Sequence, residues 1–144
     1  MRVLAIDPGA VRIGIAVSDQ TGFLARPLLI FSHESRSKDA ERIVKIAHEN
    51  DCSFILVGQA LDPDGRPGMK ARSSQRLATE ISNQTEKKVM LWDESYTSKS
   101  VYANNILMGK SKKSRSKPLD DQAAAILLDD FLQSDIFSTL KAEI

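Results

Sequence analysis

The chain has 144 residues, room for one compact domain and too few for two large lobes that close on a substrate. Twenty Lys and Arg against 19 Asp and Glu leave a formal net charge of +1, and 42% hydrophobic with 27% charged residues exclude a disordered chain. One cysteine, Cys52, excludes an intramolecular disulfide, and with only His33 and His48 beside it a tetrahedral Cys/His zinc site lacks ligands.

The first element is the apolar run Arg2 to Asp7 (RVLAID), which reads as a buried strand. Asp7-Pro8-Gly9-Ala10 is a turn signal, and Val11 to Ser18 (VRIGIAVS) continues as a second strand, so the two form a hairpin. Arg26 to Phe31 (RPLLIF) is a third strand, with Pro27 placing it at an edge or a strand start. Lys38 to Glu49 carries Ile43, Ile46 and Ala47 on one helical face. Ser53 to Gly58 (SFILVG) is a short continuous apolar run and reads as a strand buried on both faces. Leu61 to Gly68 (LDPDGRPG) is a loop by its Pro, Gly and Asp content. Met69 to Gln84, with Leu77 and Ile81 four apart, is a second helix, and Lys88 to Trp92 a further strand. Thr97 to Met108 has helical character, and Leu119 to Leu132 is a strong helix with Pro118 near its first turn. The last dozen residues extend that helix or fray.

The order β-β-β-α-β-α-β-α-α predicts an α/β fold: a mixed five-stranded sheet, three antiparallel strands then parallel ones, flanked by helices in a single domain over 1–144. No apolar stretch has the length of a secretory leader, and none approaches the ~20 residues that span a bilayer. A soluble, cytoplasmic protein with no membrane partner is expected.

The charge is unevenly spread. Gly109 to Pro118 (GKSKKSRSKP) holds five basic residues and no acid, whereas Leu119 to Ile144 holds six acids and one lysine. The basic segment reads as a loop immediately before an acid-capped helix.

Three acids stand out by position. Asp7 ends the first strand, Glu94 follows the fifth beside Asp93, and Asp120 opens the last helix beside Asp121. Asp120 shares a helical stripe with Ala124, Leu127, Leu128 and Phe131, while Asp129 and Asp130 lie off it. Each acid alone has an ordinary explanation: a turn former, a solvated surface residue, a helix cap. Together they fit the crevice at the C-terminal strand ends of an open sheet. Carboxylates converging there repel unless a cation joins them, and all-oxygen ligation suits Mg²⁺ or Mn²⁺. Such ions clamp a phosphodiester for hydrolysis. Lys110, Lys112, Lys113, Arg115 and Lys117 would then grip phosphates, with no aromatic among them to stack on bases. Arg12, Arg66 and Arg72, beside the first turn and the glycine loop, are further candidates for nucleic-acid contact.

Taken together, Asp7-x-Gly9-x-x-Arg12-Ile13-Gly14-Ile15-Ala16-Val17-Ser18-Asp19 resembles the first motif of the YqgF family of Holliday-junction-resolvase-like and pre-16S ribosomal RNA nucleases. Val57-Gly58, Leu61 and Asp64-Gly65 resemble its second segment, Asp93-Glu94 with Thr97 its third, and Leu119-Asp120 with Ala123-Ala124 its last. The resemblance covers Met1 to about Leu132. It implies a ribonuclease-H-like fold, a Mg²⁺- or Mn²⁺-dependent nuclease, and Asp7, Glu94 and Asp120 as catalytic, metal-holding carboxylates; it also favours Asp120 over Asp121. It links the chain to 5′-end maturation of the small-subunit rRNA precursor. The sequence departs from the family at Ser95, where an arginine is usual, at Gln59-Ala60, and at Val11.

The leading expectation is an endonuclease acting on structured or precursor RNA. A resolvase of branched, four-way DNA shares the chemistry but needs a two-fold dimer, and the sequence leaves monomer or dimer open. A non-catalytic RNA-binding ribosome assembly factor is opposed by the three retained acids. An actin-like phosphotransferase needs a second lobe that this length does not supply.

Overall fold

The computed structural model describes residues 1–61, 64, 66, 68–94 and 112–143, with the backbone alone over 112–121. The elements run β1 (Val3–Asp7), β2 (Arg12–Ser18), β3 (Ala25–Ser32), α1 (Arg36–Glu49), β4 (Phe54–Gln59), α2 (Met69–Gln84), β5 (Lys88–Asp93), α3 (Lys112–Leu132) and α4 (Asp135–Ala142). The five strands form one sheet in the order β3-β2-β1-β4-β5. β1–β2 and β2–β3 are antiparallel, whereas β1–β4 and β4–β5 are parallel. This is the expected mixed sheet, and it sets the C-terminal ends of β1, β4 and β5 side by side.

Strand alternation divides the core into two layers. Leu4, Ile6, Ile55 and Val57 pack with Ile43 of α1 and Leu77 and Ile81 of α2. Val3, Ala5, Phe54 and Leu56 pack on the other face with Leu127, Leu128 and Phe131 of α3 and Phe137 of α4. Continuing the alternation by one step, Asp7, Gly14 and Gly58 fall on the α3 face. Phe131 is the hub of that layer. Its ring centroid lies 5.7 Å from Phe54, 5.2 Å from Trp92 edge-on, and 5.3 Å from Phe137.

The end of the chain differs from the sequence expectation in two ways. First, α3 begins at Lys112, seven residues before Leu119, so Lys112, Lys113, Arg115 and Lys117 lie in a helix rather than a loop. Lys and Arg are good helix formers, and the φ that Pro118 locks is helical; Pro118 gives up one backbone hydrogen bond inside the helix rather than starting it. Second, the last residues neither continue that helix nor fray. The Ser134 side chain accepts the amide of Phe137 and caps a separate helix, α4, which buries Phe137. The helix expected over Thr97 to Met108 lies outside the described residues, as does Lys110. Among the described residues no helix is long and apolar enough to cross a membrane.

Because Phe131 is fully buried at the centre of three ring contacts, Phe131→Ala is expected to destabilise the fold by about 3–5 kcal/mol in urea denaturation. A loss under 1 kcal/mol would show that this layer does not hold α3 to the sheet.

Candidate active site

Asp7 is the last residue of β1 and lies opposite Gly14 of β2. A polar side chain can end this buried run because the chain turns there: the turn needs Gly9, where a Cβ would stand 2.3 Å from the Arg12 carbonyl oxygen. His33 donates its amide to the Val11 carbonyl at 2.9 Å, and its Nδ1 pairs with the buried Asp39 carboxylate, tying the hairpin to α1.

Glu94 follows β5. Its amide donates to the Gln59 carbonyl at 2.8 Å, which docks the end of β5 onto the end of β4. Its side chain then crosses β4. A Cβ built on Gly58 would sit 2.4 Å from Glu94 Oε2 and 2.5 Å from Leu127 Cδ1, so a glycine is what leaves that path open. At the far side Glu94 and Asp7 are hydrogen-bonded carboxyl to carboxyl. Two of the three proposed acids, 87 positions apart in sequence, therefore meet at one point.

Electrostatics follow from this contact. Burial is the largest influence on Glu94, followed by the charge of Asp7, and together with the Asp7 hydrogen bond and the Asp93 charge they push its carboxyl from 4.5 up to about 9. The charge of Lys70, in the first turn of α2, opposes the shift. Without a cation, Glu94 thus holds a proton that it shares with Asp7. A partly buried pair of carboxylates that keeps a proton at neutral pH is an oxygen-donor set that fits Mg²⁺ or Mn²⁺. The Asp120 side chain lies outside the described residues; its backbone is one helical turn before Ala124, which packs at 3% exposure against the α3 face of the sheet. Among the described residues no group of three His, Cys, Asp or Glu side chains could hold a metal ion. Cys52 is buried, which pushes its thiol up to about 11, and it stands outside this site.

The proposed nucleic-acid contacts separate. Arg12 lines the cleft that contains Asp7. Arg66 is exposed and lies 3.9 Å from Asp64, and Arg72 is exposed on α2; neither lines that cleft. Sequence reasoning did not single out Lys70, because its approach to Glu94 runs from a helix to a distant strand end. Nor did it see the steric role of Gly58, although the motif contained that residue.

The family model described as RuvX, Holliday junction resolvase, matches residues 1–134. A protein of Thermoanaerobacter pseudethanolicus described as "Putative pre-16S rRNA nuclease" is 32% identical over 137 residues, 93% of this chain and 97% of the relative. One of Geobacillus thermodenitrificans with the same description is 32% identical over 136 residues, 93% of this chain and 99% of the relative. Among solved structures, RuvC of Thermus thermophilus in complex with a Holliday junction substrate aligns with a TM-score of 0.54 at 16% identity, covering 88% of this chain and 91% of that one. That likeness shows a ribonuclease-H-like fold.

Two predictions follow from the packed carboxyls. A group whose folded pKa is raised stabilises below its unfolded value and loses that contribution as pH rises through the folded value. Metal-free protein should therefore lose stability between about pH 4.5 and about pH 9 on account of Glu94. Glu94→Gln, neutral throughout, should flatten this slope and melt higher than wild type at pH 8.5 in EDTA. An unchanged slope in thermal melts would mean that Glu94 is not held against Asp7. Gly58→Ala should displace Glu94 from Asp7 and erase the same slope, with a stability loss of about 1–3 kcal/mol from the crowding against Leu127. A Gly58→Ala protein whose pH slope matches wild type would show that the crossing over β4 is not sterically gated.

Proposed function

The chain belongs to the RuvX (YqgF) family of nucleases, and from that premise we propose that it is a divalent-metal-dependent endonuclease that hydrolyses a phosphodiester in the 5′-end maturation of precursor 16S rRNA, in the cytoplasm. The observation that carries this reading is the hydrogen-bonded Asp7–Glu94 pair at the C-terminal ends of β1 and β5. Asp7, Glu94 and Asp120 would hold Mg²⁺ or Mn²⁺. Such an ion, when bound, supplies a Lewis acid for the phosphodiester and a lowered pKa for the attacking water.

The remaining work falls to the chain's own groups. β1 and the hairpin turn fix Asp7, so its oxygens need no reorganisation when substrate arrives. Glu94 is held at both ends, by its amide on Gln59 and by its carboxyl on Asp7. Lys70 faces Glu94 electrostatically and offsets part of the local negative charge where a polyanionic strand must approach. The basic segment, Lys110, Lys112, Lys113, Arg115 and Lys117, would supply sequence-independent attraction for phosphates.

The relatives described as pre-16S rRNA nucleases favour RNA, whereas the family description names Holliday junction resolvases. The two readings separate by substrate. Incubation with labelled precursor 16S rRNA, single-stranded RNA and a four-way DNA junction, each with Mg²⁺ or Mn²⁺, should give discrete cleavage of the precursor RNA. Asp7→Asn should lower that rate by more than about 100-fold, beyond the effect of losing a partner outside the ligand set, while melting no lower than wild type. Cleavage of the junction alone would establish the resolvase reading. Binding of RNA with no cleavage under either metal would establish a non-catalytic assembly factor.

A further inference from the structure

A cleft of about 250 Å³ opens on the β2–β3 side of Asp7, lined by Asp7, Gly9, Val11, Arg12, Gly14 and Ile30. Register explains its shape. Gly14 pairs with Asp7 on one side and with Ile30 on the other, so these three lie in a row across the sheet. Gly14 has no side chain to fill the row; a Cβ there would already touch the Asp7 Cβ at 3.8 Å. Arg12 lies two residues before Gly14 on the same face of β2, roughly 7 Å away along the strand. That spacing is comparable with one nucleotide step.

The cleft sets one cation beside two apolar side chains. Among the described residues the exposed Arg12 guanidinium makes no hydrogen bond or ion pair, although a carboxylate shares its cleft. Val11 is 71% exposed and Ile30 is 37% exposed, two apolar side chains left in water at the rim of a charged site. A cation with five donors and apolar walls match the two halves of a nucleotide, an anionic phosphate and a sugar with a flat base.

Resting on the nuclease reading above, we propose that this cleft holds the nucleotide adjoining the scissile phosphodiester, with its phosphate on the Arg12 guanidinium and its sugar and base against Val11 and Ile30. The contact is indifferent to base identity. Apart from backbone groups, the cleft offers the base only aliphatic side chains, and its charged groups are the phosphate-seeking Arg12 and the reactive-site Asp7. Arg12 therefore sets which phosphate reaches the carboxylates, not which sequence is cut.

The test is a coupling measurement in EDTA, by fluorescence anisotropy, on short RNAs that span the 5′ end of 16S rRNA in its precursor, each carrying one neutral methylphosphonate. Arg12→Ala should weaken binding of the unmodified RNA by about 10- to 100-fold, the range for one hydrogen-bonded charge contact. It should also reduce the log–log salt slope by about 0.7. Arg12→Lys should keep most of the slope and recover part of the affinity. One methylphosphonate position should weaken wild type and leave Arg12→Ala unaffected, and cleavage with Mn²⁺ should map the adjoining phosphodiester as the one cut. If Arg12→Ala keeps wild-type affinity and slope, or stays sensitive at every position, the cleft assignment is overturned. Coupling at one position without cleavage by wild type would overturn the nuclease reading and leave the Arg12 contact standing.

Discussion

The site depends on one unfavourable contact: two carboxyl groups held against each other where water reaches them only in part. Left ionised, Asp7 and Glu94 would repel across a short distance with weak screening. The fold resolves this in the metal-free state by retaining a proton on Glu94. A bound cation would take the place of that proton in the proposed site. The path from β5 to β1 runs over Gly58 of β4, where a Cβ would meet the Glu94 carboxylate and the Leu127 side chain.

The rest of the structure fixes the two ends of this contact. Parallel pairing of β1 with β4 and of β4 with β5 brings two strand ends to one edge from positions far apart in sequence. Antiparallel β2 and β3 place Gly14, Ile30 and Arg12 on the other side of Asp7, so the carboxyl pair borders an open cleft rather than the core. The aromatic layer around Phe131 holds α3 on the same face. The apolar layer and the proposed site thus share one face of the sheet, with the carboxyl pair at the C-terminal edge.

Much of the fold was legible in the sequence because its signals are local. Met69–Gln84 was delimited by the apolar period and by the Pro- and Gly-rich segment before it, and the strands by short apolar runs. Asp7 was legible as the polar end of a buried run. Glu94 was legible only as an acid after a strand; its meeting with Asp7 depends on sheet order. Lys70 left no local trace, since its role arises from the packing of α2 beside the strand ends. The start of α3 was misplaced because Pro118 is a common first-turn residue, and here basic helix formers carry the helix past it. The α4 helix had a readable signal, Ser134 before Asp135 and three residues before the apolar Phe137, which the acidic tail obscured.

The most direct measurement of the central claim is titration calorimetry of Mn²⁺ into metal-free wild type and Asp7→Asn at neutral pH, repeated in buffers of different ionisation enthalpy. A cation that takes over the role of the shared proton must displace it. The account predicts saturable binding to wild type with close to one proton released, and loss of both binding and proton release in Asp7→Asn. Binding that releases no proton, or that is equal in the two proteins, would contradict it.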